Sequence, residues 1–130
     1  MQRIYLLCFS LFIFSMAMAQ DGCDQIYSTA SYALNHSKKA LNANNYDHQK
    51  YYAGKALDSY DKILVLLEGS KCESLTEQVQ DIIADAVKAS DPVDWDRGRY
   101  YSKKVLNSTQ ELITLLDSGT EIAGLETSPE

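Results

Sequence analysis

The sequence predicts an all-α protein, arranged as an up-down bundle of four helices that is built from two tandem helical hairpins. Apolar residues recur at the 4-3-4-3 spacing of one helix face, and no segment alternates polar and apolar residues as a strand would. The second half of the chain also repeats the first. A shift of 49 residues, which brings Cys23 onto Cys72, leaves 11 of 47 aligned positions identical, where about three would match by residue frequency alone. A two-unit fragment of α-solenoid type is the alternative architecture.

Residues 1–19 are typical of a secretory signal peptide. Arg3 precedes an apolar run over residues 4–14, and the sequence AMA at 17–19 gives the A-x-A arrangement that signal peptidases recognise. This run is shorter than the roughly 20 apolar residues that a spanning helix needs. We therefore expect an exported protein, periplasmic or extracellular, with no transmembrane segment in the mature chain.

Residues 20–119 form the predicted four-helix domain, in which repeat 1 covers about 23–71 and repeat 2 about 72–119. Each repeat predicts two helices of about 20 residues, or about 30 Å. A single hairpin has one apolar face that it cannot bury alone, whereas two copies bury their faces against each other. Residues 120–130 are expected to form a flexible C-terminal tail.

Capping residues, glycines and a proline mark the predicted ends of these helices. Asn44-Asn45 and Asp94 precede the second and fourth helices and are suitable N-caps. Gly69 and Gly119 stand where C-terminal glycines are common, and Pro92 separates the third helix from the fourth.

The two cysteines outside the signal, Cys23 and Cys72, stand at equivalent positions in the two repeats. Exported chains with two cysteines usually bond them, and equivalent residues near a twofold axis lie close together. Such a disulfide would stabilise the fold by about 4 kcal/mol in the chain-entropy model. The alternative is a lipoprotein anchored through Cys23. Gln20 fits that alternative poorly, because an aliphatic residue normally stands three positions before the lipidated cysteine.

Composition and motif spacing argue against an enzyme, a metal site, a cofactor site or a nucleic-acid interface. The formal net charge of −6 opposes the binding of a phosphate backbone. His36 and His48 lie in different helices without a second ligand one turn away, so we expect two lone surface histidines and no metal. The acidic segment 91–98 does not have the spacing of a calcium loop. No nucleophile elbow or phosphate-binding glycine loop is legible in the sequence.

One feature favours a binding function. Tyr51 and its repeat equivalent Tyr100 fall on the outer face of their helices, beside basic residues. Cations near a helix N-terminus oppose the helix dipole, so helix stability does not explain them. Tyrosine and arginine are also favoured at interfaces. We expect a binding patch that consists of Tyr51, Lys55, Arg97, Arg99, Tyr100 and Lys104. The alternative is a solvated face on which tyrosine rings lie over lysine stems.

The sequence thus predicts an exported, non-enzymatic interaction module that binds a protein or an anionic glycan through exposed helix faces. A small-ligand or cofactor carrier is the second interpretation, because small residues could leave space inside the bundle: Ala30, Ala33, Ser37 and Ala40. The same residues would let helices approach closely around a bulky side chain such as Tyr60, which we favour. A lipid-anchored envelope protein is the third interpretation.

Overall fold

The computed structural model describes the backbone of residues 23–126 and the side chains of residues 23–118. The predicted signal peptide therefore lies outside the described residues. No strand occurs between residues 23 and 126, and this confirms the all-α prediction. The helices are α1 Cys23–Leu41, α2 Tyr46–Leu67, α3 Thr76–Ser90 and α4 Trp95–Glu126, with a 3₁₀ turn at Glu73–Leu75 before α3.

The four helices pack against one another around a large apolar cluster and a second, smaller one formed by Ala40, Ala53 and Ala89. Both α1 and α3 contact α2 and α4, so the groove between α1 and α2 lies on the opposite side of the molecule from the groove between α3 and α4. Full burial of each large apolar side chain contributes about 1.5–3 kcal/mol to stability. The largest apolar contributors are Ile26, Tyr60, Ile63, Leu67, Val79, Ile82, Val105 and Leu112.

A hydroxyl network fills the centre of this core. The Tyr60 hydroxyl lies 3.1 Å from Ser37 Oγ and 2.6 Å from Thr109 Oγ1. Ser37 Oγ also donates to the Ala33 carbonyl at 2.9 Å, and Thr109 Oγ1 to the Val105 carbonyl at 2.7 Å. Burial raises the pKa of Tyr60, against the opposing effect of its two hydrogen bonds, so the phenol stays protonated near neutral pH. Ser37 and Thr109 commit their protons to backbone carbonyls, so the single Tyr60 proton is donated to one of the two neighbouring hydroxyl oxygens.

Three of the predicted helix ends are confirmed. The Asn45 side chain accepts a hydrogen bond from the backbone N–H of His48 at 2.8 Å. The Asp94 carboxylate accepts one from Arg97 N–H at 2.7 Å. Gly69 follows α2 with φ +70°, a left-handed conformation that glycine adopts without a steric penalty.

Other boundaries differ from the prediction of four equal helices. α3 has only 15 residues because the chain after Gly69 forms a turn and the 3₁₀ segment before it. α4 has 32 residues and continues through Gly119 to Glu126. Residues 120–126 of the expected flexible tail are therefore helical, while 127–130 lie outside the described residues. The segment after Gly119 includes the helix formers Glu121, Ala123 and Leu125 and has no proline before Pro129, so two glycines, Gly119 and Gly124, at a cost of about 1 kcal/mol each, do not end the helix before Glu126.

The predicted disulfide between Cys23 and Cys72 is present. It joins the start of α1 to the turn before α3, with the two Cα atoms 6.0 Å apart, within the usual range for such bridges. The sulfur of Cys23 is thereby occupied. A lipid on the same atom would require this bond to be open, so the lipoprotein interpretation and the disulfide exclude each other.

Candidate binding surfaces

The first two turns of α4 expose aromatic and cationic side chains together. Trp95 is 38% exposed and Tyr100 is 57% exposed. The guanidinium carbon of Arg99 lies 5.8 Å from the centre of the Trp95 ring, and Tyr100 meets the Tyr101 ring edge-on at 5.1 Å. We name Trp95, Arg97, Arg99 and Tyr100 the α4 patch. The patch combines two partly fixed aromatic rings with two cations on a helix that the core holds in place.

An open groove of about 280 Å³ borders the α4 patch between the end of α3 and the start of α4. Val93 is 86% exposed at this groove, whereas Pro92 is buried. The Tyr46 hydroxyl donates to the Pro92 carbonyl at 2.6 Å and thereby ties the turn to α2. The groove therefore offers an apolar rim beside the cations. Its lining residues are Lys88, Asp91, Pro92, Val93, Arg97 and Tyr101.

A buried amide fixes the first turn of α4. Gln49 is fully buried, and its side-chain nitrogen donates to the Ala89 carbonyl at 2.8 Å and to Ser102 Oγ at 3.1 Å. Its oxygen, which has no hydrogen-bond partner, faces Gly98, where a Cβ atom would clash with it. Only glycine lets α4 approach α2 this closely. Sequence reasoning missed Gln49, although its spacing of three and four from Tyr46 and Ala53 places it on the core stripe.

Lys104 contributes less to the predicted patch than its position suggests. Its ammonium nitrogen lies 3.4 Å from Asp85 Oδ1, across the groove between α3 and α4. Half of the Lys104 side chain remains exposed, so solvent screens this pair and its contribution to stability is small. The charge of Lys104 is nevertheless balanced within the molecule. Among the described residues, the α4 patch cations Arg97 and Arg99 form no ion pair.

Tyr51 and Lys55 lie on a different surface from the α4 patch. Lys55 Nζ is 5.5 Å from the centre of the Tyr51 ring. This is the arrangement expected of a solvated face on which tyrosine rings lie over lysine stems. Tyr51 is 58% exposed on α2 and contacts Tyr52 beside α1. Because the α1/α2 side is opposite the α3/α4 side, the six predicted residues belong to two separate surfaces.

The expectation of a surface histidine is wrong for His36, which is only 8% exposed. Its ring meets Tyr32 edge-on at 4.2 Å and stacks with Tyr52 at 6.1 Å. Nδ1 is buried and has no hydrogen-bond partner. Desolvation, followed by the charges of Lys39 and Lys55, lowers the pKa of His36, so the ring is neutral at pH 7. The cover consists of aromatic side chains from two helices, and helical periodicity within α1 does not reveal it.

Beside His36 lies a second open groove, of about 250 Å³, between α1 and α2. We name it the α1/α2 groove. Three hydroxyl side chains, one tyrosine and one lysine line it: Ser28, Thr29, Tyr32, Ser59 and Lys62.

Two other kinds of site are absent from the described residues. Between residues 23 and 126, no helix combines the length and apolar character that a membrane crossing requires. The same part of the chain contains no group of three or more histidine, cysteine or acidic side chains placed to hold a metal ion.

Comparison of this chain with protein-family models, with curated proteins and with solved structures found no match.

Proposed function

We propose that this chain is an exported, non-enzymatic interaction module that binds a protein through the α4 patch. The observation that carries this proposal is the exposure of Trp95 and Tyr100 beside Arg97 and Arg99 on one helix start. Tryptophan, tyrosine and arginine are the residue types that dominate protein-binding energies. The adjoining groove with Val93 supplies apolar surface that a partner side chain would cover.

Preorganisation supports the same proposal. The buried Gln49 amide bonds the end of α3 and the start of α4 through Ala89 and Ser102. The Tyr46 hydroxyl fixes the turn between these helices by its bond to the Pro92 carbonyl. A patch on a fixed helix loses little conformational entropy on binding, so more of the contact energy becomes affinity. Two arginines on a chain with a net charge of −6 favour a partner with local acidic surface.

We also propose the finer architecture, an up-down bundle of two hairpins related by a pseudo-twofold axis. Three contacts join residues that are 49 positions apart: Cys23 with Cys72, Gln49 with Gly98, and Tyr60 with Thr109. Equivalent residues touch only where they lie near a twofold axis. In the last two pairs a large side chain faces a small one, because two large equivalents would compete for the same space.

Interactions away from this axis support the repeat as well. Lys39 lies 5.6 Å from the Tyr52 ring centre, and Lys88, 49 positions after Lys39, lies 5.3 Å from the ring of Tyr101. The two hairpins thus build one cation–π contact twice.

The packing around Tyr60 bears on the carrier alternative. Ala30 and Ala33 of α1 belong to the same buried cluster as Tyr60, and Ser37 Oγ contacts its hydroxyl at 3.1 Å. The Tyr60 side chain therefore occupies the space in the bundle that a small ligand or cofactor would need. This arrangement favours the interaction module.

Photo-crosslinking in the producing cells would test the proposal. A photoreactive amino acid in place of Arg97 should give one discrete protein adduct, because position 97 lies in the α4 patch. The matched control carries the same amino acid in place of His48, the exposed repeat equivalent on α2. Equal adducts from both positions, or none from position 97, would refute the proposal.

Affinity measurements with the purified partner would follow. The double variant Arg99→Ala/Tyr100→Ala should weaken binding by about 30-fold or more, since even one hot-spot truncation costs about 2 kcal/mol or more. The matched variant Lys50→Ala/Tyr51→Ala removes a cation and a tyrosine at the equivalent positions of α2 and should bind normally. Helical circular dichroism should be the same for both variants. Undiminished affinity in the first variant would contradict the assignment.

A further inference from the structure

We propose a second binding site, in the α1/α2 groove, for an anionic sugar: a hydroxylated ring that carries a carboxylate or a sulfate. This site is separate from the α4 patch and does not depend on protein binding there, because the two surfaces lie on different sides of the molecule.

The serine and threonine hydroxyl groups that line the groove are available to a ligand as hydrogen-bond acceptors. Ser28 Oγ and Thr29 Oγ1 donate to the Gln25 carbonyl at 3.2 and 2.7 Å, and Ser59 Oγ donates to the Lys55 carbonyl at 3.2 Å. Each hydroxyl has a single proton, which these bonds commit to the helix backbone. Lone pairs therefore remain for a ligand. An inorganic anion would find no donor among these three groups, whereas sugar hydroxyls supply the protons that they need.

Lysine supplies the complementary charge. Lys62 lines the groove and is exposed, and the ion pairs of the described residues leave it without an acidic partner. Lys55 lies two turns earlier on the same helix, close enough to lower the pKa of His36. Asp58 is the acid between them on this stripe and forms no ion pair with either in the described structure. The groove therefore has a cation available for a carboxylate or sulfate.

Tyr32 provides an apolar wall. The side chain is 54% exposed, and its ring is held edge-on against His36 with the ring centres 4.2 Å apart. A fixed aromatic ring offers amphipathic contact area at low entropic cost. Such a ring suits the apolar C–H face of a sugar, and the neighbouring hydroxyl acceptors suit its polar edge.

The size of the groove limits the ligand. Its volume of about 250 Å³ is below the roughly 300–1,000 Å³ of pockets for drug-sized molecules. The groove is also open to solvent at its side. One sugar unit fits, and the rest of an oligosaccharide would extend outwards.

The second hairpin shows that this chemistry is specific to the first. The residues 49 positions after Ser28, Tyr32, His36 and Lys62 are all acidic: Glu77, Asp81, Asp85 and Glu111. Acidic side chains at these positions of α3 and α4 would repel the ligand that the α1/α2 groove attracts. We therefore expect the anionic sugar to bind beside α1 and α2 and not at the equivalent surface of α3 and α4.

Nuclear magnetic resonance titration of the oxidised, ¹⁵N-labelled full chain would test this site. A trimer of galacturonic acid should shift the amide signals of residues 28–36 and 55–62. Neutral galactose trimer and sodium sulfate, each offering half of the required chemistry, should bind more weakly by about tenfold or more. Shifts that are equal with sulfate alone, or that spread over all lysine-bearing surfaces, would overturn the proposal.

Variants test separately the charge of Lys62 and the hydroxyl acceptor of Thr29. Lys62→Glu should weaken trimer binding by about tenfold or more, while Lys103→Glu makes the same charge change on α4 and should have no effect. Thr29→Val removes an acceptor at nearly constant shape and should weaken binding of the trimer but not of sulfate. Normal trimer binding by Lys62→Glu would refute the site. The Arg99→Ala/Tyr100→Ala variant should bind the trimer normally, so failure of this site and failure of the α4 patch are distinguishable.

Discussion

Replacing Gly98 with alanine should destabilise the fold, although the same change in an open helix is stabilising. Glycine in a helix interior costs up to about 1 kcal/mol relative to alanine, so propensity alone favours the substitution. The structure opposes it. A Cβ atom at position 98 would clash with the side-chain oxygen of Gln49, and it would lie 2.7 Å from Gln49 Cδ and 3.0 Å from Pro92 Cγ.

Relief of this clash requires the Gln49 amide to move. That movement would stretch or break its hydrogen bonds to Ala89 and Ser102, which are 2.8 and 3.1 Å long. A buried polar group left unpaired costs about 1–3 kcal/mol, and the Pro92 ring cannot rotate away. A cost of about 2 kcal/mol, less the propensity gain of about 1, leaves a net destabilisation of about 1 kcal/mol. The melting temperature should fall by about 5 °C.

Urea unfolding followed by helical circular dichroism, with the disulfide intact, would measure this effect. Gly54→Ala is the matched control, because no atom lies within 4 Å of a Cβ added to that helical glycine. It should stabilise the protein by about 1 kcal/mol. In a Gln49→Ala background, Gly98→Ala should lose its cost, which gives a measurable coupling energy. Stabilisation by Gly98→Ala alone, or the absence of coupling, would refute the reasoning.

Three further predictions concern the disulfide, His36 and Tyr60. Cys72→Ser should lower the free energy of unfolding by about 4 kcal/mol, because it opens the loop closed with Cys23; urea denaturation measures this loss. The folded-state pKa of His36 lies below its ordinary 6.5. The neutral His36 ring therefore stabilises the fold above about pH 6.5, and this stabilisation is lost as the pH falls towards the folded pKa. His36→Asn should reduce the dependence of stability on pH between 7.5 and 5; an unchanged pH profile would contradict this role. Tyr60→Phe should cost only about 1 kcal/mol in the same denaturation assay, because Thr109 keeps its bond to a backbone carbonyl; a loss above about 3 kcal/mol would show that the network is worth more than its separate bonds.

The sequence was sufficient for features that depend on local chemistry. The N-caps at Asn45 and Asp94 and the glycine turn at Gly69 were predictable because each involves residues close along the chain. The exposure of Tyr51 and Tyr100 followed from helical periodicity alone.

Features that depend on the placement of one helix against another were not predictable. His36 is covered by Tyr32 and by Tyr52 of the next helix, and Lys104 finds Asp85 across a groove. Neither contact has a signature in the spacing of its own helix. The patch predicted as one surface is divided for the same reason, since each half lies beside a different neighbouring helix.

Positions 49 residues apart are informative where their residues differ. At the centre, the unequal pair Gln49 and Gly98 lets two helix turns meet, which two glutamines would prevent. At the surface, Lys62 on α2 corresponds to Glu111 on α4. These differences bear on the packing between α2 and α4 and on the charge of the two helix surfaces.

The measurement that tests the central claim most directly is the intact mass of the protein recovered from its producing cells, with and without reductant. The account of an exported module closed by Cys23–Cys72 predicts a chain that begins at Gln20 and gains the mass of two hydrogens on reduction. A chain that begins at Cys23 with added acyl mass would contradict it, as would a mass that reduction leaves unchanged.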